Sequence, residues 1–308
     1  MRISSKERTP TRKPSWLKKS LPTGPLFEQV KTLITESHLH TVCEEAKCPN
    51  RWECFSNRTA TFMILGSKCT RNCGYCAVES GWPNGWFAKD EAARVTKAAQ
   101  TLNLNYIVVT SVTRDDLNDG GASVFAETIL KIKETIPHAH VEVLIPDFNG
   151  NHDSLHTVLR AEPSVLNHNI ETVPSLFPAI RPGADYSRSL SLLSESSRYA
   201  PQIPVKSGIM IGLGETDDEI ERTLYDLNES GCSFLSLGQY LQPSKCHVPV
   251  DRFIHPNDFK KWKEKALSIG FKSVASGPFV RSSYNSKQLY EEWKIHVDHT
   301  KKTIGGII

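Results

Sequence analysis

Thr61-Phe62-Met63-Ile64-Leu65 runs directly into Gly66-Ser67-Lys68-Cys69-Thr70-Arg71-Asn72-Cys73-Gly74-Tyr75-Cys76. The first stretch is short, apolar and β-prone, and it reads as a buried strand. The second carries three thiols at C-x3-C-x2-C spacing. The same alternation continues beyond it. Hydrophobic periodicity predicts a helix near Asp90–Leu102, with Ala92, Val95, Ala99 and Leu102 on one face, then a strand at Tyr106–Val109. A helix at Gly121–Ile136 aligns Phe125, Ile129, Ile132 and Ile136. Strand Val141–Ile145 and helix His152–Ala161 follow, then strand Val165–Asn169 and helix Ser189–Tyr199. Strand Val205–Ile211, helix Asp217–Ser230, strand Phe234–Gln239 and helix Pro256–Gly270 complete the series.

Six consecutive βα units predict an α/β fold with a parallel sheet and right-handed crossovers. Six such units can curl into a partial (β/α)6 TIM-like barrel, and a doubly wound open sheet is the alternative. Either arrangement puts chemistry at the carboxyl ends of the strands, where the thiol loop falls. Residues 61–271 are the expected barrel. Residues 1–60 and 272–308 are expected as N- and C-terminal extensions that cap its open face.

Of eight cysteines, six fall between Cys43 and Cys76, which points to metal. The start, Met1 to Gly24, has no apolar h-region, so a secretory signal and a disulfide framework are not expected. Cys69, Cys73 and Cys76 on one tight loop suit three irons of a 4Fe-4S cube and leave the fourth iron open to a small molecule. Asn72 and Gly74 tolerate the turns this needs. A zinc site is the alternative, but zinc normally takes four closed ligands. Upstream, Cys43, Cys48 and Cys54 form a C-x4-C-x5-C triplet that suggests a second cluster, with zinc or plain buried thiols as alternatives. Cys232 and Cys246 lie alone and read as ordinary thiols.

Charge narrows the partners. Residues 1–20 hold seven Lys or Arg against one Glu, whereas the rest of the chain sums to −3. A near-neutral body does not read as a nucleic-acid binder. Pro10, Pro14 and Pro22 argue against a long amphipathic helix in the basic tail. A solvated tail, a docking arm for an acidic partner and a transit peptide are its three readings. No stretch approaches the roughly 18 apolar residues that would span a bilayer.

A C-x3-C-x2-C loop after the first strand of a βα repeat resembles the radical S-adenosylmethionine superfamily. The two triplets in this order, with Arg281-Ser282-Ser283-Tyr284, resemble the lipoyl synthase family within it. Also matching are Thr110-Ser111-Val112, Arg114-Asp115-Asp116-Leu117, Asp119-Gly120-Gly121-Ala122, Asn167-His168-Asn169-Ile170-Glu171-Thr172, Arg181-Pro182-Gly183-Ala184-Asp185-Tyr186 and Gly238-Gln239-Tyr240-Leu241-Gln242-Pro243. The resemblance implies insertion of two sulfur atoms at carbons six and eight of an octanoyl chain on a carrier-domain lysine. It implies two 4Fe-4S clusters and S-adenosylmethionine as cofactors, the second cluster being the consumed sulfur source. Cys69, Cys73 and Cys76 would hold the first cluster. Cys43, Cys48 and Cys54 would hold the auxiliary one, with Ser283 as fourth ligand. Oxygen is a harder ligand than sulfur, so a serine-bound iron should be the one most readily lost. A turn hydrogen bond is the bland reading of Ser282 and Ser283.

The resemblance also places Tyr75 near adenine. Asn169 and Glu171 follow the fourth strand, where a carboxylate can accept from ribose hydroxyls or the methionine ammonium. Arg188 is expected to meet the methionine carboxylate. Thr110 and Ser111 end the second strand, and they either line the site or cap the following helix. Gly208-Ile209-Met210-Ile211-Gly212-Leu213-Gly214-Glu215 resembles the superfamily's GxIxGxxE pattern, with close-packing turns as the other reading. His168 and His247 have two readings, substrate contact and a structural role, and a lone histidine is more often structural. Expected partners are octanoylated carrier domains (2-oxoacid dehydrogenase acyltransferase subunits and the glycine cleavage carrier protein) and a ferredoxin or flavodoxin. No nucleic acid or membrane partner is expected. A bacterial cytoplasmic location and a monomer complete the expectation.

Three competitors make different predictions. A zinc-stapled nucleic-acid binder would be colourless and carry a basic patch. A methylthiotransferase would normally add a basic RNA-binding appendage. Biotin synthase lacks the upstream triplet.

Overall fold

The structure, a computed structural model, describes residues 12–18, 24–57 and 60–305, with backbone alone for 296–305. The docking-arm reading of the basic tail falls largely on residues outside these. One eight-stranded sheet organises the chain: β1 (His40–Thr41), β2 (Thr61–Ile64), β3 (Tyr106–Ser111), β4 (His140–Leu144), β5 (Val165–Asn167), β6 (Val205–Ile211), β7 (Cys232–Gln239) and β8 (Ser273–Gly277). Each strand pairs with the next in chain order. All pairs are parallel except β1–β2. Helices Glu91–Thr101, Ala122–Thr135, His152–Arg160, Tyr186–Tyr199, Asp217–Glu229 and Pro256–Ile269 make the crossovers. The result is a partial barrel.

The parallel array has seven strands rather than six, because β8 pairs with β7 in parallel from Ser273↔Phe234 to Gly277↔Gly238. The core therefore runs past residue 271, the boundary drawn from the sequence. Ser273-Val274-Ala275-Ser276-Gly277 holds few bulky apolar residues, so its pattern does not read as a buried strand. The sequence also leaves helices Pro25–Glu36, Arg51–Ser56 and Ser286–Gly305 inside undivided extensions.

Helix faces supply the outer core. Phe125, Ile129 and Ile132 are fully buried, as are Ile220, Leu224 and Leu227. Each apolar stripe repeats at helical spacing and covers the sheet. Thr216 and Glu219 form a reciprocal capping box at the start of Asp217–Glu229. Gly121 precedes Ala122–Thr135 at φ +89°, and a Cβ there would lie 2.1 Å from Leu65 Cδ1. Only glycine meets both demands, so this helix can start tight against the end of β2.

The barrel interior is polar at its centre. Lys206 Nζ donates to Glu142 Oε1 at 2.8 Å and to Ser286 Oγ at 2.8 Å, and Tyr106 OH donates to Glu142 Oε2 at 2.6 Å. Ser286 opens the last helix, whose Tyr290 and Trp293 rings lie 5.8 Å from Tyr106 and Phe234 respectively. That helix closes the amino ends of the strands. The segment before it, with Arg281–Tyr284, lines the cavity at the carboxyl ends. Within the N-terminal extension, Phe27 stacks on Trp52 with ring centroids 4.4 Å apart, which fixes helix Pro25–Glu36 on helix Arg51–Ser56. Among the described residues no helix is long and apolar enough to cross a membrane.

Candidate active site

The loop after β2 carries the first triplet. Lys68–Cys69 pairs in parallel with Glu79–Ser80, and Gly81 N donates to Cys69 O at 2.8 Å. Gly74 is held from both sides: its N–H donates to Ile180 O and its carbonyl accepts from Val248 N, each at 2.9 Å. His247 Nε2 donates to Cys76 O at 2.9 Å, so this histidine anchors the loop. Arg71, between the first two thiols, is the main staple. It bonds both oxygens of Asp115 (3.0 and 3.0 Å), both of Asp147 (3.0 and 2.6 Å) and Asn149 Oδ1 (2.8 Å). A buried guanidinium so fully paired fixes the loop on the ends of β3 and β4.

The second triplet assembles from the N-terminal extension. Thr41 caps helix Val42–Glu45 by accepting from Glu44 N, and Cys43 lies inside that helix. Cys48 N donates to Cys43 O at 3.1 Å, and Cys54 lies on Arg51–Ser56. Two long-range bonds tie this unit to the C-terminal segment, and a third does so from the start of β2. Asn50 Nδ2 donates to Phe279 O (2.6 Å), Tyr284 OH to Glu53 Oε1 (2.8 Å), and Thr61 Oγ1 to Ser283 Oγ (2.8 Å). Ser283 is thereby brought into one cavity with both triplets.

That cavity has a volume of about 490 Å³ and holds all six clustered cysteines on its wall. Among the described residues no three His, Cys, Asp or Glu side chains surround a single-ion position. Burial pushes the Cys43 thiol up to about 12, with Cys48 and Cys54 adding to the rise. Burial likewise pushes Cys76 up to about 12, reinforced by Cys73 and Cys69. Such thiols are protonated at neutral pH unless cations compensate them, which is what iron supplies. The donor set thus fits two iron–sulfur clusters: three thiols each, with Ser283 beside the second set.

The remaining wall fits a polar organic ligand. Tyr75, Thr110, Ser111, Asn169 and Glu171 all line it. Asn169 Nδ2 donates to Glu171 Oε1 at 3.0 Å. Burial pushes the Glu171 carboxyl up, against the pull of Arg181, Asn169 and Tyr75. Glu171 sits at φ +69°, a left-handed conformation uncommon outside glycine. It is held there by backbone bonds, Glu171 N to Gly208 O (2.9 Å) and Met210 N to Glu171 O (2.8 Å). A Cβ at Gly208 would lie 2.7 Å from Asn169 Oδ1, so glycine is what lets Asn169 sit there. Ser111 Oγ, Asn169 Oδ1, Ser236 Oγ and Arg181 Nε are buried on this wall without a hydrogen-bond partner. Buried polar atoms are normally paired, so these four leave this wall with hydrogen-bonding capacity to offer. Thr110 instead donates to Leu144 O at 2.9 Å.

Arg188 lies apart from the cavity. It starts a helix capped by Asp185, and its Nε donates to Asp147 Oδ2 at 2.9 Å. Three guanidiniums line the wall: Arg71, already paired with Asp115 and Asp147, and Arg181 and Arg281, which sequence reasoning passed over although it quoted both motifs. Arg181 Nη1 donates to Asn169 O at 2.9 Å, and burial pushes the Arg281 pKa down, against the pull of Cys48 and Glu171. His168 is buried, with Nδ1 donating to Ile145 O at 2.9 Å and Nε2 3.1 Å from Ser189 Oγ. The glycine-rich end of β6 is a turn: Gly212 N and Leu213 N donate to the Glu215 carboxylate at 2.7 and 2.9 Å. Cys232 is buried and Cys246 exposed.

Comparison with known proteins agrees with this geometry. The profile of the Radical SAM superfamily matches residues 63–227, and that of the N-terminal domain of lipoyl synthase of the Radical SAM family matches residues 2–48. Lipoyl synthase of Desulfotalea psychrophila is 54% identical over 280 residues, covering 91% of this chain and 93% of the relative. Lipoyl synthase of Caldicellulosiruptor saccharolyticus is 52% identical over 278 residues, covering 90% and 97%. Solved structures share the fold at low identity. HydG, a maturase of the [FeFe]-hydrogenase, superposes with TM-score 0.51 at 17% identity over 70% of this chain and 56% of that one. Streptococcus suis SuiB bound to S-adenosylmethionine gives TM-score 0.51 at 11% identity, over 71% and 51%. With both thiol triplets on one cavity and half of all residues shared with relatives of the same length, this chain belongs to the lipoyl synthase family of the radical S-adenosylmethionine superfamily.

Proposed function

We propose that this protein inserts two sulfur atoms at carbons six and eight of an octanoyl chain attached to a lysine of a lipoyl carrier domain. The observation that carries the reading is the placement of Ser283 and both thiol triplets on one wall. The two 4Fe-4S clusters and S-adenosylmethionine supply, when bound, the electron, the hydrogen-abstracting radical and the sulfur. The target hydrogens are not acidic, so no protein base is required of this chain. Its residues bind, orient and exclude water.

Cys69, Cys73 and Cys76 hold one cluster, and Cys43, Cys48, Cys54 and Ser283 the other. Glu171 and Asn169 take the hydroxyl and ammonium groups of S-adenosylmethionine, Tyr75 and Ser111 its adenosine side, and Arg181 its carboxylate. Arg181 thus takes the role expected of Arg188, and Thr110 supports the wall through Leu144 O. Val42, Ala46, Leu144, Ile209 and Met210 provide apolar wall. Apolar lining suits an alkyl chain and keeps water from a reactive radical.

Octanoylated carrier domains of 2-oxoacid dehydrogenase acyltransferase subunits and of the glycine cleavage system are the partners, and a ferredoxin or flavodoxin donates the electron. The protein acts as a monomer in the bacterial cytoplasm, a compartment that keeps thiols reduced. The test is anaerobic iron and sulfide analysis of reconstituted parent, Cys43→Ala and Cys69→Ala proteins, with mass analysis of an octanoylated carrier domain. About eight irons in the parent and about four in each variant are expected. Only the parent gains sulfur on its carrier. Four irons in the parent, or zinc in place of iron, would overturn the reading.

A further inference from the structure

Thr61 opens β2 and shares the cavity wall with Cys43 and Ser283. Its hydroxyl donates to Ser283 Oγ at 2.8 Å. The residue is 4% exposed. Its backbone is fixed by pairing with Val108 on β3. Ser283 is steadied from its other side. Ser286 Oγ donates to Ser282 O at 3.2 Å, and Lys206 Nζ donates to Ser286 Oγ. One rigid residue on the wall of the second thiol site therefore holds the serine across 222 positions of sequence.

We propose that Thr61 is a positioning residue for the serine ligand, and that its hydroxyl sets how readily the serine-bound iron leaves. This rests on the reading of Ser283 as fourth ligand. A coordinated serine oxygen has lost its proton and can only accept. The Thr61 hydroxyl has one proton to give, and Ser283 receives it. A charge-assisted bond of this kind draws electron density from the oxygen and weakens it as an iron donor. The same hydroxyl keeps the freed oxygen hydrogen-bonded once iron departs, so that it is not left unsatisfied in a buried wall.

The test uses full-length protein with Cys69, Cys73 and Cys76 replaced by Ala, reconstituted so that its iron reports on the second triplet alone. Iron release from the reduced protein to a ferrous chelator is timed, and 57Fe Mössbauer spectra follow the oxygen-ligated iron. In that background, Thr61→Val is expected to release iron about tenfold more slowly, with Thr61→Ser at the parent rate and a changed spectrum for the oxygen-ligated site in Thr61→Val only. Thr61→Ala carries the same expectation should the valine not fold. With Ser283→Ala added, replacing Thr61 is expected to change nothing further. Parent-like or faster release in Thr61→Val, alongside altered release in Ser283→Ala, overturns the role of Thr61 and leaves Ser283 as ligand. Parent-like release and spectrum in Ser283→Ala overturn the ligand reading and this proposal with it.

Discussion

Arg71 donates through Nη1 and Nη2 to the two carboxylate oxygens of Asp147, at 3.0 and 2.6 Å, on an aspartate that solvent does not reach. Asp147 also accepts from Arg188 Nε and from Asn149 N. Removing Arg71 takes the main countercharge from buried Asp147 and leaves it Arg188 alone, which costs about 3 kcal/mol, the lower end for a broken buried pair. Arg71→Met should lower stability by that amount in urea unfolding of the apoprotein. Arg71→Lys should not rescue it, because a point charge cannot fill two carboxylates at once. In a Cys43→Ala background, where iron reports on the first triplet, Arg71→Met should retain well under the full complement.

Buried His168 makes a separate, pH-dependent contribution. Burial lowers its pKa to about 4, aided by the nearby Arg181 charge. The unfolded value is about 6.5, so folding favours the neutral ring. The stabilisation is complete above pH ~6.5 and is lost as pH falls toward 4. Between pH 7 and 5 apoprotein stability should drop by roughly 2 kcal/mol from this group alone. In His168→Gln that part of the slope should vanish, whatever the variant's stability at pH 7. Asp147 acts in a different window. Burial pushes its carboxyl up, but the Arg71 bonds outweigh this and hold it well below the usual carboxylate range. Its share is present above pH ~4 and lost only below that.

Lys206 and Glu142 form a fully buried ion pair inside the barrel at 2.8 Å. Lys206→Met alone should cost about 3–5 kcal/mol, because it strands the Glu142 carboxylate. Adding Glu142→Gln should restore most of the loss, since a neutral amide needs no countercharge: its oxygen can keep the bond from Asn167 Nδ2, and its NH2 can donate to Tyr106 OH, which turns to accept. Urea unfolding of the four apoproteins in the double-mutant cycle measures the coupling. Equal costs in the single and double variants would show that packing, not charge, dominates there.

These residues mark where sequence reading succeeds and where it stops. The βα alternation is legible because Tyr106–Val109 or Phe125–Ile132 encode their partners by local period. The thiol triplets are legible because their spacing is local. β8 was missed because Ser273–Gly277 lacks the apolar run that marks a buried strand. Arg188 was expected at the methionine carboxylate, and what local sequence does not show is that Asp185 caps its helix and its side chain bonds Asp147. Thr61 carries no local signature, and the motifs that hold Arg181 and Arg281 do not say where their side chains turn. Their roles arise from contacts that only the closed fold creates.

Gly238 gives the sharpest single test of how the fold sets the site. It lies near the end of β7, where a Cβ would fall 2.2 Å from Val280 O and 3.2 Å from Arg281 Nη1. The first contact is with backbone, so no rotamer change relieves it. Gly238→Ala must push residues 280–283 outward and draw Ser283 away from Thr61 and the second triplet. The expected result is loss of about four irons in a Cys69→Ala background, with the first-triplet complement intact in a Cys43→Ala background. Gly183→Ala is the control, because a Cβ there meets nothing within 4 Å and only its φ of +82° is strained. If Gly238→Ala keeps the second set of irons, Ser283 is not held where that site needs it, and the oxygen ligand must be sought elsewhere on the wall.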